Sequence, residues 1–113
     1  MATWDNGAMV IAPGIDVDEQ ALGNFCQRNG IRRLAVFGSA LRDDFGPDSD
    51  VDLLVEFEPD CTPGMMAIVR MQAELEALLG DRRTVDLRTY GDLSRYFRDD
   101  VRETARPVFD AAA

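Results

Sequence analysis

Asp50 and Asp52 stand one residue apart at the head of an apolar run, VDLLVEF (51–57), and Asp86 interrupts a second, TVDLRT. Carboxylates repel one another and are costly to take out of water, so acids among strand-forming residues ask for a partner. Side chains alternate along a strand with period two, which points Asp50 and Asp52 the same way with Cα atoms ~6.5–7 Å apart. Two carboxylates so placed can converge on a hard dication, which takes oxygen ligands. Upstream, IRRLAVF (31–37) stops at Gly38-Ser39. A glycine there lets backbone approach a ligand closely, and the N–H groups after it can open towards a phosphate.

Each feature also has a plain reading. DDFGPDSD (43–50) has the composition of a solvated turn, and alone it is better read so. Asp86 can pair with an arginine, and Gly-Ser by itself is an ordinary turn. A calcium loop starting at Asp48 fails, because Leu53 stands where glycine is needed and Pro59 where the twelfth ligand belongs.

The bulk composition narrows the chemistry. At 113 residues the chain is one domain with enough length for a core, and 46% hydrophobic with 29% charged residues is ordinary for a soluble globular protein. A net charge of −9 argues against nucleic acid or an anionic membrane as a non-specific partner. All 12 basic residues are arginine, and lysine and histidine are absent. A histidine base, a histidine metal ligand and a Schiff-base or phosphate-binding lysine are thereby excluded, so proton transfer and metal binding fall to carboxylates. Cys26 and Cys61 lack metal-ligand spacing and read as reduced thiols of a cytoplasmic protein, a disulfide being the lesser alternative. MATWDNGAMVIAPG has no signal-peptide character, and no window approaches a membrane span.

The elements that must position these residues follow from periodicity. Residues 1–14 read as an N-terminal extension or loose strand, and 15–113 as a single domain. A first helix is expected from Asp16, its N-cap with Glu19 closing a capping box, to a stop at Gly30, with Leu22, Phe25 and Cys26 on its apolar face. Strands are expected at 31–37, 51–57 and 82–89, the second apolar on both faces and so central. Thr62 should cap a helix with Pro63 in its first turn, running to Gly80 with Met65, Ile68, Val69, Leu75 and Leu79 as its stripe and Gln72 interrupting it. A last helix should run from Asp92 to Pro107. The order implies an α/β (α+β) fold: a small mixed sheet of three main strands with helices largely on one face.

In combination, VFGSALR…DSDVDLLV with VDL downstream resembles the minimal nucleotidyltransferases, members of the nucleotidyltransferase superfamily that includes DNA polymerase β. The resemblance spans roughly residues 16–109. It implies the nucleotidyltransferase fold, a Gly38-Ser39 turn that holds a triphosphate, and Arg42 as the arginine that follows it. It further implies that Asp50 and Asp52 ligate Mg²⁺, and that Asp86 completes the metal site and helps deprotonate the attacking hydroxyl. Two Mg²⁺ ions, with Mn²⁺ as a substitute, would reconcile three carboxylates with the phosphates of ATP. An arginine suits the bidentate hold on phosphate oxygens. The chain departs from the family at Asp43-Asp44, where a glycine is common, which puts extra negative charge beside the triphosphate.

The acceptor is narrowed by what surrounds the motif. About thirty residues follow Asp86, an expectation of no separate acceptor domain, and no basic patch suggests nucleic acid. Minimal nucleotidyltransferases resemble antitoxins that adenylylate a tyrosine of a partner HEPN ribonuclease toxin. The resemblance therefore implies AMP transfer from ATP to such a partner in a hetero-oligomer. The alternatives are an antitoxin that neutralises its toxin by binding alone, and a nucleotidyltransferase for a small molecule.

Overall fold

A computed structural model describes residues 8–41, 46, 48–80, 83–93 and 98–111. The chain opens with an antiparallel hairpin, β1 (Ala8–Ala12) and β2 (Ile15–Asp18), turning at Gly14. Residues 8–12, read from sequence as extension or loose strand, thus form β1 and bury Ile11 and Ala12. Ile15 and Val17 point into the core while Asp16 and Asp18 face out, a period-two pattern that claims Asp16 for the strand. The expected cap is therefore displaced by two residues. Helix α1 (Glu19–Arg28) is capped by Asp18, whose Oδ1 accepts from the Gln20 amide at 3.0 Å. Leu22, Phe25 and Cys26 are buried as expected.

Four strands form the main sheet in the order β5-β4-β3-β6. β3 (Ile31–Phe37) and β4 (Val51–Phe57) are antiparallel, match the expected bounds and occupy the middle. β5 (Val85–Thr89) is shorter than the expected 82–89 and lies parallel to β4 at one edge. A parallel pair requires a crossover, supplied by α2 (Met65–Leu78). Residues 106–110 depart from expectation: they form β6 (Arg106–Asp110), antiparallel to β3 at the other edge. Pro107 does not simply end a helix but sits in this edge strand, where its missing N–H costs no central ladder bond.

Helix α2 also departs from its expected bounds and stripe. It begins at Met65 with Gly64 as N-cap, so neither Thr62 nor Pro63 belongs to it. Met65 and Val69 are exposed, while Met71 and Leu75 are the buried residues, with Ile68 and Leu79 partly buried against the core. Gln72 interrupts the apolar pattern for a reason: its Oε1 accepts from the Leu87 amide at 2.8 Å, and Glu76 Oε2 accepts from the Val85 amide at 2.9 Å. The two side chains satisfy donors that edge strand β5 would otherwise leave unpaired.

The last helix is split. A 3₁₀ turn (Tyr90–Asp92) is closed by a capping box in which Asp92 accepts from the Thr89 amide, and α3 (Arg98–Thr104) follows. Asp92 therefore ends a capping turn instead of starting a long helix.

The sheet has two unlike faces. Leu34, Val36, Val51, Leu53, Val55, Val85 and Leu87 share the main core with α1, α2 and the hairpin. On the other face Ala35, Phe37, Leu54 and Ala105 form a smaller core, against which Val101 of α3 packs. Among the described residues that smaller core is formed near Ala35, Phe37 and Leu54, with Leu93 also packed against it.

Candidate active site

Among the described residues, the acids stand beyond the small core on the second face. Strand register sets two rows across it: Ala35, Leu54 and Arg88, then Phe37, Asp52 and Asp86. Leu54 is buried, whereas Asp52 and Asp86 are half-buried. Val51, Leu53, Val85 and Leu87 flank the two acids in sequence and turn to the main core, so strand alternation sends both carboxylates to the open face. Paired positions on neighbouring strands lie about 4.8 Å apart. Asp52 and Asp86, 34 positions apart in sequence, are thus direct neighbours because β4 and β5 are parallel in this register.

Asp50 is exposed and precedes β4 instead of lying in it. Its approach is held from outside the motif. The Gly46 amide donates to Ser49 Oγ at 3.0 Å, and the Ser49 amide to the Gly46 carbonyl at 3.1 Å. Arg83 Nη1 donates to the Gly46 and Ser49 carbonyls at 2.6 and 3.0 Å, and the Val51 amide donates to the Thr84 carbonyl at 2.9 Å. The residues leading into β5 therefore anchor the loop that presents Asp50.

Gly38 begins a 3₁₀ turn (Gly38–Leu41) directly after β3, with φ of 67°, a conformation that favours glycine. A Cβ placed on it would lie 2.5 Å from Asp52 Oδ2 and 3.3 Å from its Cγ. The side-chain space of Gly38 is filled by the Asp52 carboxylate, so the absence of a side chain serves both backbone shape and close approach. The backbone of Ser39 continues this turn. Arg42, Asp43 and Asp44 lie outside the described residues.

On sequence, Asp86 asks for a metal ion or an arginine partner. It is 37% exposed and paired with Arg88, whose Nε donates to Oδ2 at 3.2 Å and whose Nη2 lies 3.1 Å from the same oxygen. The Asp86 hydrogen bond and charge raise the Arg88 pKa above its ordinary value, with smaller contributions from Asp92 and Asp52. Sequence reasoning missed both Arg83 and Arg88. Arg88 was within reach of it, since a residue two positions from Asp86 on a strand shares its face; Arg83 left no local signal, because its partners lie 34 and 37 positions away. Among the described residues no group of three or more acidic, cysteine or histidine side chains stands gathered at metal-holding geometry. No helix among the described residues is long and apolar enough to cross a membrane.

Comparison with known proteins bears on the family and the fold. The family model for the nucleotidyltransferase domain matches residues 19–108. The protein adenylyltransferase MntA of Thermococcus cleftensis is 46% identical over 61 residues, which cover 54% of this chain and 58% of that relative, so the match spans little more than half the relative's length. A solved candidate minimal nucleotidyltransferase aligns over 79% of this chain and 87% of its own with a TM-score of 0.64 and 37% identity. A complex of a tri-AMPylated Shewanella oneidensis HEPN toxin with an MNT antitoxin shares the fold, with a TM-score of 0.57 and 18% identity over 81% of this chain and 69% of that one.

Proposed function

The chain belongs to the nucleotidyltransferase domain family, and on that premise we propose that it is a protein adenylyltransferase of a toxin–antitoxin pair. It transfers AMP from ATP to a tyrosine of a partner HEPN ribonuclease toxin and silences it. The observation that carries the reading is the seating of the Asp52 carboxylate against Gly38, with Asp86 as the register neighbour of Asp52. A phosphate-binding turn and two acids from three separate strands meet at one end of one sheet face. The name of the Thermococcus relative and the AMPylated toxin in the structural neighbour support AMP as the transferred group and a HEPN toxin as acceptor.

Asp50, Asp52 and Asp86 would hold Mg²⁺, two ions in the full arrangement, with Mn²⁺ able to replace it. Their donors are all carboxylate oxygens and the chain has no histidine, a set that suits a hard dication. When bound, the metal neutralises the triphosphate and stabilises the departing pyrophosphate. The protein's own groups do the rest. The turn at Gly38-Ser39 offers backbone N–H groups and the Ser39 hydroxyl to phosphate, and Arg42 holds phosphate oxygens bidentately. Asp86 accepts the proton of the tyrosine hydroxyl as its oxygen bonds to the α-phosphorus and the bond to pyrophosphate breaks. Arg83 positions Asp50 by holding the loop before it. The chain's net charge of −9 leaves nucleic acid and membrane outside this reading, and its two free thiols suit the cytoplasm.

The test is intact-mass analysis of a HEPN partner coexpressed with this chain and with Asp50→Ala/Asp52→Ala. The expected result is a partner heavier by one or more AMP groups, with tyrosine as the modified residue, and no increment with the double variant. An unmodified partner that is nonetheless bound and neutralised would overturn catalysis in favour of inhibition by binding.

A further inference from the structure

We infer that Arg88 is a resident counter-cation at Asp86: its guanidinium holds the Asp86 carboxylate and is displaced when a divalent cation enters. The inference rests on the reading of Asp86 as a metal ligand.

The placement of Arg88 sets it apart from an ordinary strand-surface pair. Arg88 belongs to the row of buried Leu54, one row along from the acids. From there its side chain doubles back towards the acidic row, where Nε donates to Asp86 Oδ2 and Nη2 lies within ion-pair distance of the same oxygen. The Thr89–Asp92 capping box folds a further carboxylate into the neighbourhood, since Asp92 accepts from the Thr89 amide just after β5. Arg88 therefore lies among acids contributed by β4, β5 and the turn beyond it, and offsets charge that the fold itself concentrates there. A dication that takes Asp86 Oδ2 competes directly with the guanidinium for that oxygen. The pair is 49% and 37% exposed, so water screens it and displacement costs little. The Asp86 carboxylate is thus partnered yet remains accessible to metal.

The experiment titrates Mn²⁺ alone, without nucleotide, into the whole chain and follows free Mn²⁺ by electron paramagnetic resonance. Arg88→Gln should bind Mn²⁺ about two- to fivefold more tightly than wild type, the range to which an exposed ion pair converts. Arg88→Lys, which keeps the charge, should stay within about twofold of wild type. In an Asp86→Asn background Arg88→Gln should change Mn²⁺ affinity by less than about 1.5-fold, since the oxygen contested by metal and guanidinium is then uncharged. Thermal melts of each variant establish that the fold is retained. Unchanged or weaker Mn²⁺ binding by Arg88→Gln, with wild-type binding intact, overturns the role of Arg88 and leaves the proposed function standing. Failure of wild type and all variants to bind Mn²⁺, alone or with nucleotide, overturns the metal-site reading and this inference with it.

Discussion

Replacing Gly38 by alanine probes the joint between the turn and the acid pair. Two costs can be separated in the structure. The backbone at φ 67° is the left-handed region, which costs an L-residue about 1–2 kcal/mol. The new Cβ would also meet Asp52 Oδ2 at 2.5 Å, closer than atoms approach, so the carboxylate must leave its rotamer for about 1 kcal/mol more. Gly38→Ala should therefore lose about 2–3 kcal/mol of stability, which for a chain of this length lowers Tm by roughly 10 °C. Urea denaturation of Gly38→Ala, Asp52→Ala and the double variant measures both parts. The cycle should return a favourable coupling of about 1 kcal/mol, because truncating Asp52 removes the collision and leaves the backbone cost. A loss below about 0.5 kcal/mol for Gly38→Ala, or an equal loss in both backgrounds, would refute the reasoning.

Arg83→Ala removes two charge-assisted bonds to the Gly46 and Ser49 carbonyls and should cost about 1–3 kcal/mol by denaturation. It should also weaken nucleotide binding measured calorimetrically in the presence of Mg²⁺, because Asp50 loses its support. Asp86→Ala should keep the wild-type melting profile, its side chain being partly exposed, yet slow single-turnover AMP transfer by at least ~10²-fold. Transfer at the wild-type rate would remove Asp86 from the reaction. Burial pushes the Cys26 thiol up to about 12, so the folded chain keeps this proton where the unfolded chain, near ~8.5, gives it up. The resulting stability is complete below about pH 8.5 and is lost as pH rises towards 12, which denaturant titrations across that window will register. A thiol reagent at pH 8 should accordingly label half-buried Cys61 well before Cys26, and equal rates would contradict the burial argument.

Local chemistry in the sequence determined a good part of this protein. The bounds of β3 and β4, the buried face of α1 and the open-face direction of Asp52 and Asp86 follow from periods of two and 3.6 and from turn residues. The motif around Gly38, Asp50, Asp52 and Asp86 carries the resemblance to the family whose model matches residues 19–108. Local rules failed where a segment had two acceptable states and a distant partner chose between them. Asp16 can cap a helix, but pairing with Val10 drew it into β2. The segment after Pro107 carries little pattern of its own and became a strand because β3 offered an unpaired edge. Gln72 broke an apolar stripe because β5 needed an acceptor there. Only the tertiary structure decided the site's composition. The parallel register of β4 and β5 makes Asp52 and Asp86 neighbours, the turn after β3 closes on Asp52, and Arg83 and Arg88 enter from β5 and its approach. Strand order and register arise from how whole faces bury one another, a long-range balance that no window of sequence contains.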